Sequence, residues 1–183
     1  MKRKVRKILI FNLLFALLAT VACDPVPTET DTTSKEDIRL KFRFFNNCQP
    51  IELLIGVSLE KDKDKKDNRV SLTEAELRNF IESRLRSARI PVELNEPEMA
   101  DHLYAGVNIV GISFTIELEF NKVLEDSLSS TYGTAITWET GAFGHFGIPD
   151  SVKENKALIL SEFQKHLDEF ITEYLRANQK YCE

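Results

Sequence analysis

Between Ile112 and Phe120 apolar and polar residues alternate without a break. Phe114, Ile116, Leu118 and Phe120 fall on one side, and Ser113, Thr115, Glu117 and Glu119 on the other. A period of two over this length describes a β-strand with one buried and one wet face. It is the pattern that most limits what the chain can fold into, because the rest must pair with this strand and cover its Phe/Ile/Leu side. The preceding stretch, Leu103 to Val110, runs into Gly111, so the two segments read as an antiparallel hairpin.

Three further stretches read as strands. Ile38 to Phe44, IRLKFRF, alternates Ile38, Leu40, Phe42 and Phe44 with Arg39, Lys41 and Arg43. Ile51 to Leu59 carries apolar residues at every second position, and Tyr132 to Glu139 holds the single tryptophan, Trp138. Val92 to Leu94 adds a short piece. Gly141 to Gly147, GAFGHFG, concentrates three of the seven glycines and reads as a loop or wide bend. Two segments have helical periodicity instead. After Ser71 or Thr73, either of which makes a capping box with the glutamate three residues on, Leu77, Phe80, Ile81, Leu85 and Ala88 share one stripe that ends before Pro91. After Ser151 and Glu154, a long helix carries Val152, Ile159, Phe163, Phe170 and Tyr174 along one side and stops at Asn178. These elements predict an α+β fold: a two-layer sandwich of a mainly antiparallel sheet with two amphipathic helices on one face. The other face, bearing Arg39, Lys41, Arg43, Glu117 and Glu119, is left to water or a partner.

The chain has 183 residues, enough for one domain with a real core. Before it lies a segment of another kind. Residues 1–7 carry five basic side chains, Ile8 to Leu18 is apolar apart from Asn12, and Ala19 to Ala22 are small. The apolar run is too short for ~30 Å of hydrocarbon, so residues 1–22 read as a signal peptide. Ala19-Thr20-Val21-Ala22-Cys23 resembles the lipobox of bacterial lipoproteins, with Thr20 where Leu is usual, which makes Cys23 a lipid-attachment candidate. An ordinary cut after Ala22 is the competing outcome. Residues 23–37 are acidic, Thr-rich and hold two prolines, a composition that suits a flexible tether reaching about 40 Å. Residues 38–183 then form the single α/β domain.

The three cysteines are Cys23, Cys48 and Cys182. With Cys23 lipidated, Cys48 and Cys182 remain as a disulfide pair; two free thiols are the alternative. Removing the five basic residues of the signal leaves 19 basic against 29 acidic groups. That surface repels nucleic-acid phosphate and anionic lipid, and argues against a nucleic-acid partner.

Residues 51 to 178 resemble an uncharacterised family of exported bacterial proteins through SLTEAELRNFIESRLRSARIPV, LYAGVNIV, TAITWETGAFGHFG and FITEYLRAN. The order of elements is also similar to that of periplasmic lipoprotein domains that activate penicillin-binding proteins or assist lipopolysaccharide assembly. The resemblance implies an exported protein, and no particular activity.

Chemistry-bearing motifs are few. Asp62 and Asp64 faintly match a calcium loop, but Lys66 and the missing Gly and Glu break the pattern. His102, His145 and His166 have no second His or Cys at metal-ligand spacing, so neither a metal nor a cofactor is expected. No nucleophile motif or phosphate-binding loop is present, and an enzyme is not expected. A hydrolase acting through His145 and nearby carboxylates is the reading to be weighed against that. Trp138, Phe143, His145 and Phe146 are the partner-binding candidates; if Phe143 and Phe146 instead plug the core, the stretch is structural. The expectation is a lipid-anchored protein of the bacterial cell envelope, on the periplasmic side of a membrane, acting as a non-catalytic binding or adaptor module for another envelope protein. The alternative is a carrier of a small apolar ligand or lipid, motivated by the 12 phenylalanines.

Overall fold

The computed structural model describes residues 34–60, 70–93, 100–147 and 151–182. The signal peptide, Cys23, most of the tether and the charge run with Asp62 and Asp64 lie outside the described residues.

The first element is α1 (Lys35–Phe44), where alternation predicts a strand. Helix wins because the local signals agree. Ser34 and Asp37 form a reciprocal capping box, Glu36 and Asp37 occupy the first turn, and Lys41 and Arg43 the last. Leu40 and Phe44, four apart, supply the buried stripe. Residues 35–37, read as the end of the tether, are therefore the first turn of α1. Helices number three rather than two among the described residues.

After α1 come β1 (Ile51–Glu60), α2 (Glu74–Ser87), β2 (Val92–Glu93), β3 (His102–Val110), β4 (Ser113–Asp126), β5 (Thr131–His145) and α3 (Val152–Asn178). The five strands make one sheet in the order β2-β1-β3-β4-β5. β1 runs parallel to β2 and β3, while the long β3–β4 and β4–β5 pairings are antiparallel. The hairpin turns at Gly111, whose φ of 59° suits glycine. Thr73, rather than Ser71, caps α2 through Glu76, and Ser151 caps α3 through Glu154. α2 packs on β1, α1 on β5, and α3 lies against both helices and β4. The result is an α+β two-layer sandwich with all three helices on one side of the sheet.

Between the layers, Phe44, Phe120, Trp138, Phe170 and Tyr174 interlock, with ring centroids 5.5 to 6.2 Å apart. Cys48 and Cys182 are joined by a disulfide, Cα to Cα 5.3 Å, which ties the end of the chain to the α1–β1 connection.

The glycine-rich stretch is strand up to His145, not a loop. Its glycines serve close approach instead of a turn. A Cβ on Gly141 would sit 2.5 Å from the Ile116 carbonyl oxygen, and one on Gly144 would sit 2.3 Å from the Phe114 ring.

Candidate functional site on the open face of the sheet

Pleating sends alternate residues of β1, β3, β4 and β5 away from the helices, and the register aligns them in rows. Leu54, Tyr104, Glu119 and Glu139 form one row, and Gly56, Gly106, Glu117 and Gly141 the next. Ser58, Asn108, Thr115 and Phe143 follow, and Val110, Ser113 and His145 close the lattice. Arg39, Lys41 and Arg43, expected on this face, belong to α1 on the other side of the sheet. Their departure leaves the face acidic rather than mixed.

Three features give the face its chemistry. The row of glycines opens a depression of about 390 Å³, which Tyr104, Asn108, Thr115 and Glu117 help to line. Tyr104 lies over it: a Cβ would come within 2.6 Å of its hydroxyl at Gly106 and 3.0 Å at Gly56, so both positions need glycine unless the ring moves. Partial burial, with the charges of Glu117 and Glu119, pushes the Tyr104 phenol above its ordinary pKa. It therefore stays a neutral hydrogen-bond donor. Glu119 and Glu139 stand directly opposite in register, like charges that repel. Among the described residues neither they nor Glu117 has a cation within ion-pair distance.

The aromatic candidates part company. Phe143 projects from β5 and is 64% exposed, with His145 edge-on to its ring at 4.6 Å between centroids. Phe146 is 3% exposed and stacks on Phe114, while Trp138 belongs to the aromatic cluster beneath the sheet. Ser113 Oγ lies 3.0 Å from His145 Nδ1. That pair has no carboxylate bonded to the imidazole among the described residues, the third group that orients a catalytic histidine. His166 Nδ1 meets Thr140 Oγ1 at 3.0 Å between α3 and β5. No group of three or more metal-ligating side chains occurs among the described residues.

Glu117 and Glu119 were legible as surface residues of one strand. Tyr104, Gly56, Gly106 and Glu139 were not singled out. The alternation of LYAGVNIV already puts Tyr104, Gly106 and Asn108 on one side, but only the register brings them beside Glu117 and Glu139.

No family model matches the chain, and no curated protein matches it. The family likeness of residues 51–178 thus has no counterpart there. Among solved structures the chain is similar to a minor lipoprotein from Acinetobacter baumannii. The identity is 10%, over 73% of this chain and 93% of that one, with a TM-score of 0.26. At that TM-score the likeness decides nothing about the site, which stands on its own residues.

Proposed function

We propose that this is a lipid-anchored envelope protein whose domain is a non-catalytic binding module, and that the open sheet face is its docking surface. The observation that carries the reading is Phe143, a large aromatic side chain left exposed on the strand face that also holds Glu117, Glu119 and Glu139, none of which has an ion-pair partner among the described residues. Exposed aromatic anchors dominate binding energy where a partner encloses them. The carboxylates select a partner surface that brings cations to Glu117, Glu119 and Glu139. β5 adds a long outer edge that pairs with no strand among the described residues, and free edges of this kind accept extended segments. For the anchor, the support is that the disulfide uses Cys48 and Cys182 and leaves Cys23. Such bonds persist in oxidising compartments outside the cytosol. No described helix is long and apolar enough to cross a membrane.

A photo-crosslinking residue placed at Phe143 in living cells tests the docking face, with one at Glu169 on the exposed side of α3 as control. A defined adduct from position 143 alone, lost when Glu117, Glu119 and Glu139 become Gln, is expected. Equal labelling from both positions, or none from 143, overturns the reading. Radioactive palmitate should label the wild type and not Cys23→Ser; an unlabelled wild type removes the anchor. The carrier reading requires a ligand to part the interlocked rings between the layers. Native mass spectrometry revealing a bound lipid would favour it.

A further inference from the structure

The helix that replaces the expected first strand has an outer face with no partner among the described residues. At 3.6 residues per turn, Ile38 and Phe42 lie opposite the buried pair Leu40 and Phe44. They are 57% and 59% exposed, side by side one turn apart. Lys35, Arg39 and Lys41 flank them, all exposed, and none is within ion-pair distance of a carboxylate among the described residues. Both acids of the helix are engaged elsewhere. Glu36 pairs with Arg176 of α3 at 3.0 Å, and Asp37 closes the capping box on Ser34. The outer face is therefore apolar and cationic, a local exception on a chain whose 19 basic and 29 acidic groups beyond the signal otherwise repel anionic lipid.

The helix is also held in place. Lys122 Nζ donates to the Phe42 carbonyl at 3.1 Å, and Thr137 Oγ1 donates to the Arg43 carbonyl at 2.7 Å, so β4 and β5 secure its C-terminal end. A two-residue apolar ridge edged by long cationic side chains is convex and offers no shaped pocket to a protein. It matches a plane of anionic headgroups over an acyl boundary, the surface that basic amphipathic helices occupy.

We propose that the outer face of α1 rests on an anionic lipid surface, with Ile38 and Phe42 at the headgroup–acyl boundary and Lys35, Arg39 and Lys41 against lipid phosphates. Each such cation favours an anionic surface by about fivefold in partitioning. That is weak alone and sufficient for a domain already held near the membrane. α1 follows Cys23 by only a dozen residues in the chain, so it is the first described element beyond the proposed anchor. Glu117, Glu119 and Glu139 sit on the opposite side of the sheet from the helix layer, so this contact leaves the open face uncovered. The lipid contact does not depend on that face having a partner.

The test uses the chain from Cys23 onward, coupled through that cysteine to a maleimide lipid so that the anchor is supplied, in vesicles of phosphatidylethanolamine and phosphatidylglycerol with brominated acyl chains. Phe42→Trp places an indole on the ridge, while native Trp138 stays shielded in the core. The added emission should fall by about half or more on bromination, as for a side chain at the acyl boundary. Phe143→Trp should be unaffected. Lys35→Glu/Arg39→Glu/Lys41→Glu in the Phe42→Trp chain, or vesicles of phosphatidylcholine alone, should restore the emission. Should charge reversal unfold α1, as circular dichroism would reveal, the matching Gln set takes its place. Unquenched Phe42→Trp, the outcome if an acidic protein is the true occupant, overturns the proposal. So does equal quenching of Phe143→Trp, or quenching that survives removal of the charges.

Discussion

Asn178 closes α3 and is wholly buried, yet every polar atom of its side chain is used. Its Nδ2 donates to the Phe44 and Tyr174 carbonyls, both at 2.9 Å, and its Oδ1 accepts from the Asn46 and Cys48 amides at 3.1 and 3.3 Å. Asn47 and Cys48 have positive φ, 61° and 53°, a left-handed turn that two non-glycine residues keep only when the surroundings hold them. The Tyr174 hydroxyl completes the arrangement by donating to Asn46 Oδ1 at 2.6 Å, and burial pushes its pKa well above the ordinary phenol value. Asn178→Ala takes a partner from two part-buried amides and from two buried carbonyls. We expect a loss of roughly 2–4 kcal/mol in urea unfolding, against under about 1 kcal/mol for the exposed Gln179→Ala. Equal effects would show that the turn holds itself. In the sequence Asn178 was readable only as a helix stop, since its partners lie 130 and 132 residues away.

At the scale of elements, all three helices begin with the same device, a Ser or Thr exchanging hydrogen bonds with an acid three residues on. Each of those acids is held below its ordinary pKa. For Glu76 the causes are Lys156 and then the Thr73 amide; for Asp37, the Ser34 hydroxyl and amide; for Glu154, the Ser151 amide and hydroxyl. A carboxyl with a depressed folded pKa stabilises the fold above its unfolded value of about 4, and that contribution disappears as pH falls through the folded value. The unfolded chain binds more protons in that window, so stability there rises with pH. Urea midpoints measured from about pH 6 down to about pH 3 should therefore fall less steeply for Glu76→Gln/Glu154→Gln than for the wild type. Parallel curves would discard the caps as the source.

The same devices explain what could be read in advance. The boxes at Thr73 and Ser151 preceded clear helical stripes, and both helices form where expected. SKED before IRLKFRF carries an equal signal at Ser34 and Asp37, but it falls in the stretch read as tether, ahead of a period-two alternation over seven residues. Two of the four apolar residues in that alternation, Ile38 and Phe42, lie outside the core on the outer face of α1. For β5 the glycines pointed to a bend, because the space they leave for Ile116 and Phe114 becomes visible only once β4 lies alongside.

For the whole molecule, the bond between Cys48 and Cys182 spans a sequence separation of 134 and embraces nearly all of the described domain. In the chain-entropy account such a link stabilises by restricting the unfolded state, on the order of 4–5 kcal/mol for so long a loop. Urea unfolding of Cys48→Ser/Cys182→Ser should show roughly that loss together with a larger m value, because the unlinked chain exposes more surface. An unchanged unfolding free energy would place the stability in the aromatic interlayer and the Asn178 turn instead. The bond and the turn join the same two places, residues 44–48 and the end of α3, so their effects should not add.

The class of fold was legible in local patterning. Period-two and helical patterns, with caps at Thr73 and Ser151, report which side of each element must leave water, and burial depends on that local pattern. The helix at IRLKFRF had a local signal as well, the cap at Ser34, whereas the tertiary structure alone set the glycines in strands rather than turns and covered Phe146 but not Phe143. It also made the open face acidic and the outer face of α1 cationic, by sending the basic residues of one segment to the far side of the sheet. Those outcomes rest on neighbours distant in the chain, and local periodicity carries no record of which strand will lie beside which.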